Sequence, residues 1–403
     1  MLLTNKQHLT YCTNIHRGES WAEVFNYLKK YIPEVKARVS PDRDFGIGLR
    51  LSDQAGKALL EGTNLDDFKT WLKKNQLYVF TLNGFPFGHF HKQKVKDHVH
   101  HPDWTKQERV DYTRRLFKIL AEILPEGMEG GISTSPISYK LWWNHDDKAL
   151  DEVFEKGTDH LLTIVKYLIE TAQATGKKMH LDIEPEPDGL LENTAGVVDF
   201  YQQWLIPRGI VFLKEHFGFE PAEAERRIKD HLQICYDVCH FAVVFEEPTT
   251  VFEAFESAGI KIGKIQISAA LKARFSEDHR RTDRILEDFR QFDEPIYLHQ
   301  VVGKDHNGRK IQYHDLSHAI KQFGEINFRE WRSHFHVPVF LDKYDELEST
   351  REDILKVFSI NKKRPLSNHL EVETYTWEVL PKALQVDLNT SISRELAWVL
   401  NNI

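Results

Sequence analysis

Short apolar runs of strand character recur along the chain between longer amphipathic segments, and this alternation restricts the fold to a parallel α/β class. Seven such runs occupy 8–12, 45–51, 77–82, 130–135, 180–186, 233–237 and 263–268, with helical patterning over 21–31, 65–74, 106–124, 148–175, 194–216 and 249–258 between them. A closed barrel of eight parallel strands needs one more. The run at 369–375 supplies it, because helical patterning over 350–357 precedes it as a barrel helix should. The runs at 296–302 and 311–314 flank Gly303, Asn307 and Gly308 and read as an inserted β-hairpin. The run at 334–340 has three possible places: an extension of the seventh strand, a crossing of the barrel top, or the eighth strand itself. The expectation is a (β/α)8 TIM barrel with long loops, forming one decorated domain over 1–403 with an insertion at about 272–330.

The fifth run is the most unusual. It reads His180-Leu181-Asp182-Ile183-Glu184-Pro185-Glu186-Pro187. Alternate residues of a strand share a face, so His180, Asp182, Glu184 and Glu186 point one way while Leu181 and Ile183 point the other. Like charges held this close need a cation or a shared proton. In a TIM barrel the active site lies at the C-terminal ends of the strands, and polar residues gather there in this chain. Asn14, His16, Asn83, Ser133, Ser135, Glu184, Glu186, Asp237, His240, Gln266, Ser268, Glu371 and Glu373 all fall at such positions.

Glu184, Asp237 and Glu371 offer three hard oxygen ligands for one divalent ion, Mn, Mg, Zn or Fe. A fourth ligand comes from Gln266 by position, or from His336 or His299 by chemistry. Glu186 and Glu373 lie two residues beyond expected ligands and suit general acid and base roles, or a role orienting the ligands. His240 suits contact with a substrate, or capping of a helix. Asn14, His16, Asn83, His299 and Trp377 are the expected substrate-binding residues. The stretch with His89, His91, His98, His100 and His101 matches no closed zinc pattern and reads as a lid or substrate-facing loop.

Acidic residues outnumber basic ones by eight, which argues against broad nucleic-acid binding and against polybasic membrane attachment. Cys12, Cys235 and Cys239 are too few for a disulfide framework and suit small buried thiols in a reducing compartment. No apolar run approaches the roughly 18 residues that span a bilayer. The first residues lack the pattern of a secretory signal, so a cytoplasmic location without direct membrane insertion is expected.

Ile183-Glu184-Pro185, Asp237-Val238-Cys239-His240 and Leu370-Glu371-Val372-Glu373 resemble the fifth-strand glutamate, the Asp-x-x-His and the eighth-strand glutamate of the xylose isomerase-like TIM barrels. That superfamily includes sugar isomerases, sugar epimerases and endonuclease IV-type enzymes. Its seventh strand usually carries a metal histidine, where this chain has Gln266. A longer resemblance, carried by residues 8–16, 45–52, 83–86, 131–136, 334–338 and 369–377, is to the EboE metabolite traffic proteins of Ebo gene clusters. It implies a step in preparing or moving a small metabolite towards the periplasm, with other Ebo-cluster proteins as partners. Together these resemblances imply a divalent-metal-dependent isomerase or epimerase acting on a sugar-like or polyol metabolite. The rival expectations are, from another class, a catalytically silent metabolite-binding or carrier protein on the same barrel and, third, an endonuclease IV-type phosphodiester hydrolase, which the acidic balance opposes.

Overall fold

The computed structural model of the chain describes residues 1–88, 96–143, 146–378, 380 and 387–403. His89 and His91 of the expected lid lie outside the described residues. Fourteen strands follow in chain order among those described. They are β1 (His8–Tyr11), β2 (Phe45–Arg50), β3 (Leu77–Asn83), β4 (Gly130–Thr134), β5 (Met179–Ile183), β6 (Leu232–Asp237), β7 (Ile262–Ile267), β8 (Ala269–Arg274), β9 (Val301–Asp305), β10 (Lys310–Tyr313), β11 (Phe328–Val337), β12 (Lys343–Tyr344), β13 (Leu347–Ser349) and β14 (His369–Val372).

Eight of them form the barrel. The order β1-β14-β7-β6-β5-β4-β3-β2 is parallel throughout, so the run at 369–375 does provide the eighth barrel strand. Between β1 and β2 the ladder is completed largely by side chains. The Thr10 hydroxyl donates to Gly46 O at 2.7 Å and accepts from Gly48 N at 3.1 Å, and Thr13 Oγ1 accepts from Arg50 N at 2.9 Å. Gly48 has to be glycine here, since a Cβ would lie 1.7 Å from Glu371 Oε1.

Outward residues such as Leu181, Ile183, Ile265, Ile267 and Leu370 are buried beneath the surrounding helices, as burial of apolar area requires. These include Trp21–Val39, Gln107–Ile123, Asp147–Thr175, Pro248–Ser257 and Arg351–Lys363. The first starts at a capping box, in which Ser20 and Glu23 satisfy each other's backbone N–H.

The remaining six strands make an antiparallel sheet in the order β10-β9-β11-β8-β13-β12. The expected hairpin is its β9–β10 edge, closed by the Asp305 carboxylate accepting from Asn307 N and Arg309 N. The run at 334–340 falls on β11 and its exit, not in the barrel. Pairing of β11 with β8 shifts register between Ser333 and Val337, an irregularity that takes His334 to His336 out of register with β8. Among the described residues no helix is long and apolar enough to cross a membrane.

Candidate metal centre

The inner face of the barrel is polar and stacked in layers along its axis. Period-two alternation puts His180, Asp182 and Glu184 on it from β5 and its end, Lys264, Gln266 and Ser268 from β7, and His369, Glu371 and Glu373 from β14. At the N-terminal pole His180 Nδ1 and Asp182 Oδ1 meet at 2.6 Å, both buried. Burial opposes the charge on His180, but Asp182 outweighs it and raises the imidazole's pKa.

One layer up, Lys264 Nζ donates to Glu371 Oε2 at 2.8 Å, and both side chains are 0% exposed. The same ammonium reaches Leu82 O and Ser133 Oγ across the barrel, each at 3.2 Å. Glu371, expected as a metal ligand, is thus engaged by a buried lysine.

The top layer holds the carboxylates of Glu184, Asp237 and Glu373, whose nearest oxygens lie within 4.8 Å of one another. Each is positioned by neighbours. Asp237 ends β6 and caps the helix Val238–Val243, accepting from His240 N at 3.2 Å and from Ser268 Oγ at 2.6 Å. Glu373 Oε1 accepts from Asn14 Nδ2 at 2.6 Å and Asn83 Nδ2 at 2.9 Å, so these expected substrate binders hold a carboxylate. Gln266 donates its amide to Asp237 Oδ2 at 3.3 Å and to Glu373 Oε2, while its oxygen accepts from Cys235 Sγ at 2.8 Å. In this orientation Gln266 braces two acids and turns its oxygen away from them.

Burial and the facing carboxylates of Glu373 and Asp237 push the Glu184 carboxyl well above its usual range. Burial, Asp237 and Glu371 do the same to Glu373. Burial works on Asp237 in the same sense, but the imidazoles of His240 and His336 outweigh it and leave that carboxyl below its usual value.

Three imidazoles border the acids. Each has Nδ1 against an oxygen: His240 at Pro185 O (3.0 Å), His336 at Glu373 O (3.0 Å) and His334 at Gln300 Oε1 (2.7 Å). Donation from Nδ1 places the lone pair on Nε2, the tautomer that a metal ligand requires. His336 Nε2 lies 3.7 Å from Asp237 Oδ2, and His240 Nε2 lies 3.9 Å from the same oxygen. Burial pulls His336 down to about 4, against the influence of Asp237, and burial with neighbouring imidazoles pulls His334 well below its usual value.

These groups open onto a cavity whose wall includes Asn14, Asn83, Glu184, Glu186, His240 and Glu373. Glu186 and His100 share its rim, with His100 Nε2 at 2.7 Å from Glu186 Oε1. Lys96 joins the wall and pairs with Asp315 at 2.5 Å, tying this segment to the helix start that follows β10. Three expected substrate residues are placed elsewhere. His16 stacks on Tyr31 and bonds Tyr11 OH, while His299 spends its nitrogens on His334 O and Glu294. Trp377 packs against Phe340.

Sequence reasoning missed Lys264, His334 and Gln300. Lys264 carried a signal, because it shares the inward face of β7 with Gln266 and Ser268.

The donors fit a divalent ion. Glu184 Oε2 and His336 Nε2 are buried and make no hydrogen bond among the described residues. Two like charges 4 Å apart repel by about 4 kcal/mol at an effective dielectric near 20, so Glu184 and Glu373 keep protons unless a cation replaces them.

No family model and no curated protein matches the chain. Among solved structures it is similar to a xylose isomerase-like TIM barrel protein from Mycobacterium smegmatis in complex with magnesium, at 10% identity and TM-score 0.50 over 100% of this chain and 98% of that one. It is also similar to D-psicose 3-epimerase in the presence of D-fructose (12% identity, TM-score 0.48, 98% and 99% covered). A 3-keto-D-glucoside 4-epimerase from E. coli matches at 14% identity and TM-score 0.45, with 98% and 99% covered. At such identities the likeness shows the fold alone, and that fold is an α/β TIM barrel.

Proposed function

We propose that the protein is a divalent-metal-dependent isomerase or epimerase acting on a sugar-like or polyol metabolite. The observation that carries this reading is the meeting of Glu184, Asp237 and Glu373 with His336 at the C-terminal end of the barrel, beside a cavity whose wall also holds Asn14, Asn83, Glu186 and His240. Glu184, Asp237, Glu373 and His336 would hold the ion, with Glu371 left to Lys264. A divalent ion there supplies Lewis-acid polarisation of a carbonyl and hydroxyl pair.

The protein's own groups do the rest. Asn14, Asn83, Gln266 and Ser268 fix the carboxylates so that they need no rearrangement when substrate enters. His240 faces the cavity and orients substrate hydroxyls. Glu186, on the same wall and in contact with His100, moves the proton. The resemblance to EboE proteins supports a place in metabolite traffic towards the periplasm, with Ebo-cluster proteins as partners and a cytoplasmic location.

Isomerisation or epimerisation through a carbon acid exchanges a substrate hydrogen with solvent. Metal-loaded protein incubated with a panel of ketoses, aldoses and inositol ketones in D2O is expected to place deuterium next to the carbonyl of one of them, and Glu186→Gln is expected to lower that rate at least 100-fold. A sugar that binds and is recovered chemically unchanged and without deuterium would overturn the reading in favour of a carrier.

A further inference from the structure

Beside the three acids lies a second convergence of donors. Glu186, His240 and His334 bring one carboxylate oxygen and two ring nitrogens within 4.8 Å of one another, and all three side chains are buried. His334 Nε2 makes no hydrogen bond among the described residues, although the residue is only 6% exposed and lines the cavity. Its orientation is built rather than incidental. Gln300 accepts from His334 N at 2.8 Å through its backbone oxygen, sits 2.7 Å from His334 Nδ1 through its side-chain oxygen, and donates its amide to Pro187 O at 2.9 Å. The inserted sheet and the loop after β5 therefore clamp this imidazole with Nε2 facing inward. The rings of His240 and His334 meet edge to face, with centroids 4.6 Å apart.

One imidazole lone pair serves one ion. With Glu184, Asp237, Glu373 and His336 assigned to the first ion, Nε2 of His240 and of His334 is left over, together with the Glu186 carboxylate. Two imidazoles and one carboxylate make a softer set than three carboxylates and one imidazole, and they suit zinc.

We propose that Glu186, His240 and His334 form a second cation position on the substrate side of the first, which takes a zinc-like divalent ion when no substrate is present. This inference rests on the assignment of His336 to the first ion. Because Glu186 and His240 are also the groups turned towards substrate, the second ion and substrate exclude each other. Excess zinc then inhibits turnover by competing with substrate.

The test is zinc analysis of protein purified without an affinity tag, loaded with Zn²⁺ and freed of excess ion, for the natural chain, His334→Ala, Glu186→Gln and Glu373→Gln, each checked for folding by circular dichroism. The expected result is about two zinc ions per natural chain and one in each variant. Glu186→Gln keeps the test available should His334→Ala not fold. One ion in the natural chain, lost in Glu373→Gln and retained in His334→Ala or Glu186→Gln, would overturn the second position and leave the first standing. One ion retained in Glu373→Gln and lost in His334→Ala or Glu186→Gln would instead overturn the first assignment. No bound zinc would overturn both.

Discussion

Glu371 and Glu373 stand two residues apart on the same face of the barrel, yet they meet different partners. Glu371 neutralises Lys264 in a layer without solvent, and Glu373 meets Glu184 and Asp237 above it. Their substitutions should therefore separate. Glu373→Gln is expected to abolish retention of the first ion while leaving urea stability close to that of the ion-free natural protein. Glu371→Gln strands a buried ammonium and is expected to cost roughly 3–5 kcal/mol in the same unfolding experiment. Similar stability losses in both variants would contradict the layer assignment. The sequence made both glutamates legible as inward residues, because a period of two is unambiguous along β14. It did not distinguish them. Strands in a closed barrel tilt and stagger, so the height of a side chain depends on shear around the whole ring. Backbone register even places Glu371 beside Gln266, the residue whose side chain reaches Glu373.

At the scale of elements, the barrel closes between β1 and β2 through the Thr10 hydroxyl. Thr10→Val removes a donor and an acceptor from the backbone of Gly46 and Gly48, and a loss of about 1–3 kcal/mol is expected in denaturant unfolding. The closing helix Leu388–Asn402 carries another buried device. Glu395 accepts from Thr374 Oγ1 and from Val339 N, linking the helix to the segments after β14 and β11. Burial raises its carboxyl from 4.5 to about 7. The folded state therefore binds this proton where the unfolded chain has released it. The contribution is fully present below pH 4.5 and is lost as pH rises through about 7. Glu395→Gln is expected to match the natural protein near pH 4.5 and to exceed it by about 3 kcal/mol above pH 8, read from urea midpoints at both pH values. A difference that does not change with pH would contradict this origin. The sequence could not show this link, since Glu395 reads as an ordinary polar residue of an amphipathic helix.

Across the whole molecule, the alternation of apolar runs and helices was enough to expose the barrel, including its eighth strand at 369–375. The acids read at the strand ends include Glu184, Asp237 and Glu373, which the fold brings together at one pole. The second sheet was less legible. Its hairpin edge was visible, but long-range antiparallel pairing of β8, β11 and β13 leaves only short, unremarkable strand patterns in the chain. The placement of His336 beside Asp237 follows from that pairing and from the register shift in β11.

An ion held by Glu184, Asp237, Glu373 and His336 would couple these two sheets to one site, so it should stabilise the entire fold. At a manganese concentration 100 times its dissociation constant the gain is expected to be about 2.7 kcal/mol, measured by denaturant unfolding with and without chelator. The most direct test is anomalous diffraction from crystals soaked in Mn²⁺. The expected map has a peak bounded by Glu184, Asp237, Glu373 and His336. A well-soaked crystal with manganese only at surface carboxylates would contradict the metal centre on which the functional reading depends.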